Sequence, residues 1–246
     1  MEKIPKIIHY VWMGNGKHSS LQKKCMKSWK KYCPDYEIKL WNEESFDLSK
    51  APVYVQEAFK AKKWAFVSDF IRIWAVYNYG GLYFDTDTEV LKDISHLLEN
   101  YAFLAFEGTD MVTTGVMGSC KEDKILLDIL QYYEKLKFYN DDGTQNTIVT
   151  GRYVTEVFLK YGLKIGGQEQ IVEKWKIYPF TCFYPVKVIS DKTYYTEETC
   201  IVHWFEGTWF PEEYKKAKRH DKNPIIRFLR KIGLVKLYHK LIGKKQ

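Results

Sequence analysis

The 246-residue sequence has no stretch approaching the roughly twenty apolar residues that a membrane-spanning helix needs, so no helical span is encoded in it. Its five cysteines, Cys25, Cys33, Cys120, Cys182 and Cys200, are odd in number and form no C-x-x-C pair. That excludes a zinc knuckle or a paired redox centre and points to reduced thiols in a cytoplasmic setting. Met1 to Met13 lacks a small-residue cleavage site and reads as a first strand, not a secretion leader. There is no internal repeat and no low-complexity linker. Neither a Cys/His nor a Ser/His arrangement announces a nucleophile, and no paired carboxylates announce a general acid and base.

Aromatic residues are abundant, at 17% with 8 Trp and 19 Tyr, inside a soluble-type composition of 46% hydrophobic and 28% charged residues. Most of these rings serve a large core, while some suit a site that stacks on sugars or bases. The net charge of +7 is unevenly placed. Lys215 to Gln246 holds twelve basic residues against the single acid Asp221, giving +11, and residues 1–214 hold 26 basic and 30 acidic residues, giving −4. An excess confined to the tail argues against a nucleic-acid groove running through the main domain. The expected division is a catalytic domain over 1–215 and a basic amphipathic tail over 216–246.

The main domain reads as α/β. Lys6 to Trp12 is a strand closed by Gly14-Asn15-Gly16, Ser19 or Ser20 caps a helix through Lys31, and Tyr36 to Trp41 alternates as a second strand. This β-α-β opening favours a sandwich with a parallel core. Further strands are expected at Leu82 to Phe84, Ala102 to Phe106 and Cys200 to Trp204. Helices are expected from about Glu122 to Leu136 and after Thr150-Gly151, with a loop at Asn140 to Gly143.

The helix over Trp64 to Tyr79 is apolar around nearly its whole circumference, the pattern of a helix buried on most sides. Ser68, Asp69 and Arg72 form one polar stripe on it, with Asp69 and Arg72 at i, i+3. Burying such charges is costly unless they pair or serve a ligand. Gly80-Gly81 ends the helix. Leu82 to Phe84 then leads straight into Asp85-Thr86-Asp87. With 13 aspartates in the chain, about 0.7 D-x-D tripeptides arise by chance, so context has to carry the motif. Two carboxylates at the end of a buried strand can meet on one Mg²⁺ or Mn²⁺, which fills its remaining positions with phosphate oxygens.

Ser68-Asp69-Phe70-Ile71-Arg72 with Tyr79-Gly80-Gly81-Leu82-Tyr83-Phe84-Asp85-Thr86-Asp87 resembles the sugar-binding region of glycosyltransferase family 32, and also the catalytic domains of clostridial glucosylating toxins. Ile4 to Trp12 is similar to that family's first strand, and Val202-His203-Trp204 with Gly207-Thr208-Trp209 to its closing motif. The resemblance implies a GT-A fold, a Rossmann-like mixed sheet flanked by helices, and metal-dependent retaining transfer from a nucleotide sugar. By position it implies that Val11 and Trp12 line the base and ribose pocket and that Asp69 and Arg72 hold donor-sugar hydroxyls. Asp85-Thr86-Asp87 would bind the sugar nucleotide, with Asp85 contacting the ribose and sugar, or the metal through water, and Asp87 ligating the metal directly. His203 would supply a further metal ligand, and Thr208 with Trp209 would bind the β-phosphate. Two departures stand out: Thr208 replaces the usual Ser, and Thr150-Gly151-Arg152 stands where relatives have Thr-Gly-Pro. Asn146, with Gln145, is a candidate neighbour of the anomeric carbon.

The expected reaction is transfer of a hexose, galactose first, from a UDP-sugar to a cell-surface glycan or lipid-linked oligosaccharide, with Mn²⁺ or Mg²⁺. No nucleic acid is implied. Pro224 to Ile242 reads as two short amphipathic helices joined at Gly233, and residues 222–246 suit the anionic inner face of a membrane. One rival is a haloacid dehalogenase-type phosphohydrolase with Asp85 as nucleophile, since Asp85-Thr86-Asp87-Thr88 also satisfies D-x-D-x-T. Another is a non-enzymatic glycan- or membrane-binding module.

Overall fold

Apolar runs that alternate with period two become strands able to bury both faces. In the computed structural model, which describes residues 2–186 and 193–207, nine such strands form. Ile7–Val11 (β1), Glu37–Trp41 (β2) and Gly81–Phe84 (β3) pair in parallel, with β1 in the middle. Val112–Ser119 (β6) runs antiparallel between β3 and Ala102–Phe106 (β5). Trp175–Tyr178 (β8) lies parallel to β5, and Gln170–Val172 (β7) closes the edge. The resulting order is β2-β1-β3-β6-β5-β8-β7. Thr88–Val90 (β4) and Ile201–His203 (β9) make a separate antiparallel pair. The α/β, mixed-sheet expectation is met, and the parallel part is confined to strand pairs on either side of β6.

The helices form where their sequences provide caps and apolar faces. Ser19 caps Ser20–Tyr32 (α1) in a full capping box with Gln22, fixing the start that its sequence suggests. Val53–Lys60 (α2) precedes Trp64–Tyr79 (α3), which stops at Gly80. Asp123 caps Lys124–Tyr133 (α4) through Ile125 and Leu126 and also accepts from buried Trp175 Nε1 at 3.0 Å. Thr150–Lys160 (α5) and the short Phe180–Phe183 (α6) complete the set.

Alternation along the central strands divides the core. Tyr83, Leu104 and Phe106 face one cluster with α3's Val67, Phe70 and Ile71, whereas Leu82, Phe84 and Phe103 face the other with Trp29 and Phe183. All five cysteines are buried and none is in a disulfide. Among the described residues no helix is long and apolar enough to cross a membrane. Met1–Phe205 forms one compact unit. The expected boundary at 215/216 and the tail helices lie outside the described residues.

Six elements, α2, β4, β6, β7, β8 and α6, escape a reading by pattern, and β6 and β4 show why. Strand β6 carries Gly115 and Gly118, which weaken the strand signal. They are there for close approach: a Cβ on Gly118 would sit 2.5 Å from the Phe103 ring and 2.7 Å from Leu82 Cδ2. Strand β4 has three residues and forms only because β9 pairs with it from 113 residues further on.

His9, on β1, is fully buried. Its Nε2 donates to the Gly80 carbonyl at 2.8 Å and its Nδ1 accepts from Trp41 Nε1 at 3.1 Å, which fixes a neutral ring. Burial pushes its pKa down to about 4, against the pull of the Gly80 carbonyl. The unfolded chain, with the ordinary value near 6.5, therefore binds a proton in this window that the folded chain does not. The contribution to stability is complete above about pH 6.5 and is lost as pH falls toward 4, by roughly 3 kcal/mol at about 1.4 per unit. Urea midpoints measured across this range should fall with acidification, and His9→Gln should flatten the slope. Parallel slopes for the two proteins would contradict this.

Candidate active site

The carboxyl ends of β1, β3 and β5 share one edge of the sheet, where ligands bind in open α/β sheets. At this edge the chain leaves β3 through a turn in which Thr88 N bonds Asp85 O at 2.9 Å. That turn folds Asp87 back beside Asp85, where a continued strand would have sent the two carboxylates to opposite faces. Pairing of Thr88 with His203 across β4 and β9 then delivers the imidazole. His203 Nε2 lies 3.3 Å from Asp85 Oδ2 and 3.3 Å from Asp87 Oδ1. One ligand atom from each of the three residues falls within 4.8 Å of the others.

Asp85 is the hub. Its Oδ1 accepts from Arg72 Nη2 and from the Tyr83 hydroxyl, both at 2.9 Å. Burial alone would raise its pKa, but Arg72, His203 and Tyr83 together hold it below the usual carboxylate range. Arg72 Nη2 also reaches Asp69 Oδ1 at 3.0 Å, so one nitrogen bridges two carboxylates. Burial raises Asp69, partly offset by Arg72 and by the Thr150 hydroxyl. Arg72 is pushed above its ordinary value because its acidic neighbours outweigh burial, and it stays charged. Burial presses His203 toward neutrality, but the Asp87 and Asp85 charges prevail and raise it. Its ring lies between Tyr184, at 5.6 Å, and Phe205, at 4.3 Å.

This donor set suits a divalent cation: two carboxylates and an imidazole converge without rearrangement of the chain. Space is kept for them. A Cβ on Gly115, opposite Asp85 in β6, would stand 2.8 Å from Asp85 Oδ2 and 3.4 Å from His203 Nε2. Among the described residues Arg72 Nε and His203 Nδ1 are buried without a protein partner, which is costly unless a ligand is involved.

Continuing the register Ile8↔Leu82 and His9↔Tyr83 puts Val11 and Trp12 level with Asp85 and Thr86. Val11 is buried, while Trp12 is half-buried with its Nε1 on the Gly16 carbonyl at 2.8 Å and its ring 4.1 Å from His18. The Asn146 side chain is engaged locally: its Oδ1 accepts from the Tyr153 hydroxyl at 3.0 Å and its Nδ2 donates weakly to Lys137 O at 3.4 Å. Tyr153 in turn senses Asp69, as do Tyr54 and Tyr133. Arg152 makes an exposed 3.7 Å ion pair with Asp110, of little energetic weight. Thr208 and Trp209 lie outside the described residues.

Sequence reasoning missed three contributors. Gly115 sits on a strand the pattern did not reveal. Tyr184, whose hydroxyl accepts from Val116 N at 2.8 Å, comes from the distant α6 region. Glu107, just past β5, adds negative charge around Tyr184 and His203. The phosphohydrolase alternative finds no support in this arrangement, because both Asp85 oxygens are engaged. Its second acidic pair, Asp141-Asp142, is an exposed turn in which Asp142 caps Thr144.

The chain is thus an α/β domain with a carboxylate–imidazole cluster beside a buried Asp–Arg pair. Residues 19–104, about a third of the chain, match the family described as glycosyltransferase sugar-binding region containing DXD motif. The chain is 29% identical over 141 residues to inositol phosphoceramide mannosyltransferase 3 of Schizosaccharomyces pombe, a match covering 55% of this chain and 38% of that protein. A 28% match to mannosyl phosphorylinositol ceramide synthase CSH1 of Saccharomyces cerevisiae covers 54% of this chain and 36% of that protein. The chain thus aligns with well under half the length of these relatives. Among solved structures, PaToxG glycosyltransferase is similar with a TM-score of 0.49 and 16% identity, over 65% of this chain and 69% of that one. The galactosyltransferase LgtC is similar with a TM-score of 0.45 and 12% identity, over 86% and 94%.

Gly115→Ala forces a methyl group against Asp85 Oδ2. Disturbing the groups that hold metal ligands in place costs about 10–100-fold in affinity, and a loss of that size is expected for Mn²⁺ binding measured by calorimetry, with melting still cooperative. Wild-type affinity in this variant would remove Gly115 from the site.

Proposed function

We propose that the chain transfers a hexose, with retention of configuration, from a nucleotide sugar to a glycan or lipid-linked oligosaccharide. The observation that carries this reading is the meeting of Asp85, Asp87 and His203 with the Asp69–Arg72 pair at one sheet edge. A divalent cation held by the first three residues supplies positive charge against the diphosphate leaving group. An imidazole nitrogen in the ligand set favours Mn²⁺ over the harder Mg²⁺. Asp87 ligates directly, and Asp85, restrained by Arg72 and Tyr83, bridges to the sugar nucleotide.

Asp69 and Arg72 orient the donor sugar through its hydroxyls, for which the unpartnered Arg72 Nε is a ready hydrogen-bond donor. Val11, Trp12 and Thr86 bound the nucleotide side, and Thr208 with Trp209 complete the phosphate contacts. Asn146 belongs to the acceptor side near the anomeric carbon. In the transfer, the bond from C1 to the diphosphate oxygen breaks and a bond from C1 to the acceptor oxygen forms. The acceptor's proton passes to the leaving phosphate.

The names of the two curated relatives support mannose as the first donor sugar to try, ahead of the galactose suggested by the family resemblance. They equally support a lipid-linked acceptor over a soluble one. A cytoplasmic location, with residues 222–246 on an anionic membrane face, fits such an acceptor and the +11 charge of the tail.

Diphosphate release from a panel of UDP- and GDP-hexoses with Mn²⁺ tests the reaction. GDP-mannose or UDP-galactose should be turned over in a metal-dependent way, and silence across the panel, or phosphate transfer to Asp85, would defeat the proposal. His203→Ala should raise the Mn²⁺ concentration needed for half-maximal activity by more than about tenfold, since even disturbing the groups that hold metal ligands in place costs that much. An unchanged metal response would remove His203 from the ligand set.

A further inference from the structure

Six lysines and no acid lie between Lys17 and Lys31, in a region whose surrounding residues 1–214 carry a net −4. Five of them, Lys23, Lys24, Lys27, Lys30 and Lys31, are on α1. At about 100° per residue they fall within an arc of about 120° and span about 12 Å of the helix. The opposite side, with Cys25, Ser28 and Trp29, is buried and fixes which face points out. Ser28 Oγ accepts from Val90 N at 2.8 Å and Trp29 Nε1 donates to Thr88 O at 2.7 Å, so the helix is pinned against β4. All five lysines are exposed.

Folding does not explain this face. Like charges at i, i+4, as in Lys23/Lys27 and Lys27/Lys31, destabilise a helix. Lys30 and Lys31 suit the C-terminal end of the helix dipole, but Lys23 stands in the first turn, where a cation is disfavoured. Only Lys24 has a carboxylate partner among the described residues, Glu89 at 2.8 Å. Between the helix and β4 lies a cleft of about 240 Å³, walled by Lys24, Lys27, Ser28, Lys31 and Tyr32 on one side and Glu89, Val90 and Leu91 on the other, with three lysines against the one acid, Glu89. It is large enough for one phosphate group, and the remaining positive charge extends well beyond it.

We propose that this face of α1 is a docking surface for an anionic lipid bilayer, with a headgroup phosphate seated in the cleft and neighbouring phosphates meeting Lys23 and Lys30. A helix face with five exposed lysines, only one of them paired with an acid, Glu89, matches a plane of phosphates. It offers no concave groove to track a nucleic-acid strand. The surface belongs to the folded domain, and neither the tail nor the transferase reading is needed for it.

The test uses the full chain and sedimentation with phosphatidylcholine vesicles, with and without phosphatidylglycerol. Each lysine near an anionic surface contributes about fivefold in partitioning. The triple reversal Lys23→Glu, Lys27→Glu and Lys30→Glu should therefore weaken binding to the anionic vesicles about a hundredfold or more, with melting and donor turnover unchanged. Lys→Gln at the same positions should give a smaller loss in the same direction, which keeps the test open if the reversal disturbs folding. Unchanged partitioning of a folded variant overturns the proposal. So does wild-type protein that binds soluble polyphosphate more tightly than anionic vesicles at equal phosphate concentration, since a flat lipid array would then not be the preferred partner.

Discussion

The Arg72 guanidinium, buried beside Asp69 and Asp85, ties α3 to the end of β3 and sets the position of everything at the sheet edge. A charge in that location is tolerable only because two carboxylates and the Ser68 hydroxyl surround it. Removing one member of such a group typically costs about 3–5 kcal/mol, because the survivors remain buried and unpaired. The pairing also divides the labour among the acids. Asp85 is held ionised and immobile, while Asp69, with Thr150 beside it, keeps a raised pKa in a tyrosine-rich pocket.

From this fixed point two local devices build the cation cluster. The turn from Asp85 to Thr88 brings the second carboxylate around, and the β4–β9 pair brings an imidazole from 118 residues away. Gly115 leaves the volume that both need. The same β4 strand is braced by α1 through the Ser28 hydroxyl and the Trp29 indole.

Periodicity made the strands and helices with strong apolar patterns legible, as with α3, β3 and the Ser19 cap. The polar stripe of Asp69 and Arg72 was legible for the same reason, since a charge on an apolar helix needs a purpose. Strand β6 was not, because its two glycines answer to neighbours in space: the Phe103 ring, Leu82 and Asp85. Trp12 shows the opposite case. Its place in the first strand was readable, yet its ring rests on His18 and its Nε1 on Gly16, contacts that depend on how the following loop folds back.

The sequence by itself determined the α/β class, the buried helix with its Asp–Arg stripe, the D-x-D after a short strand, and the segregation of charge. These follow from local periodicity and composition, which act over a few residues. That Asp85 and Asp87 face one point, that His203 joins them, and that Gly115, Tyr184 and Glu107 surround them was decided by tertiary structure alone. Those relations depend on a tight turn, on pairing between strands far apart in the chain, and on packing contacts whose sequence separation leaves no local trace.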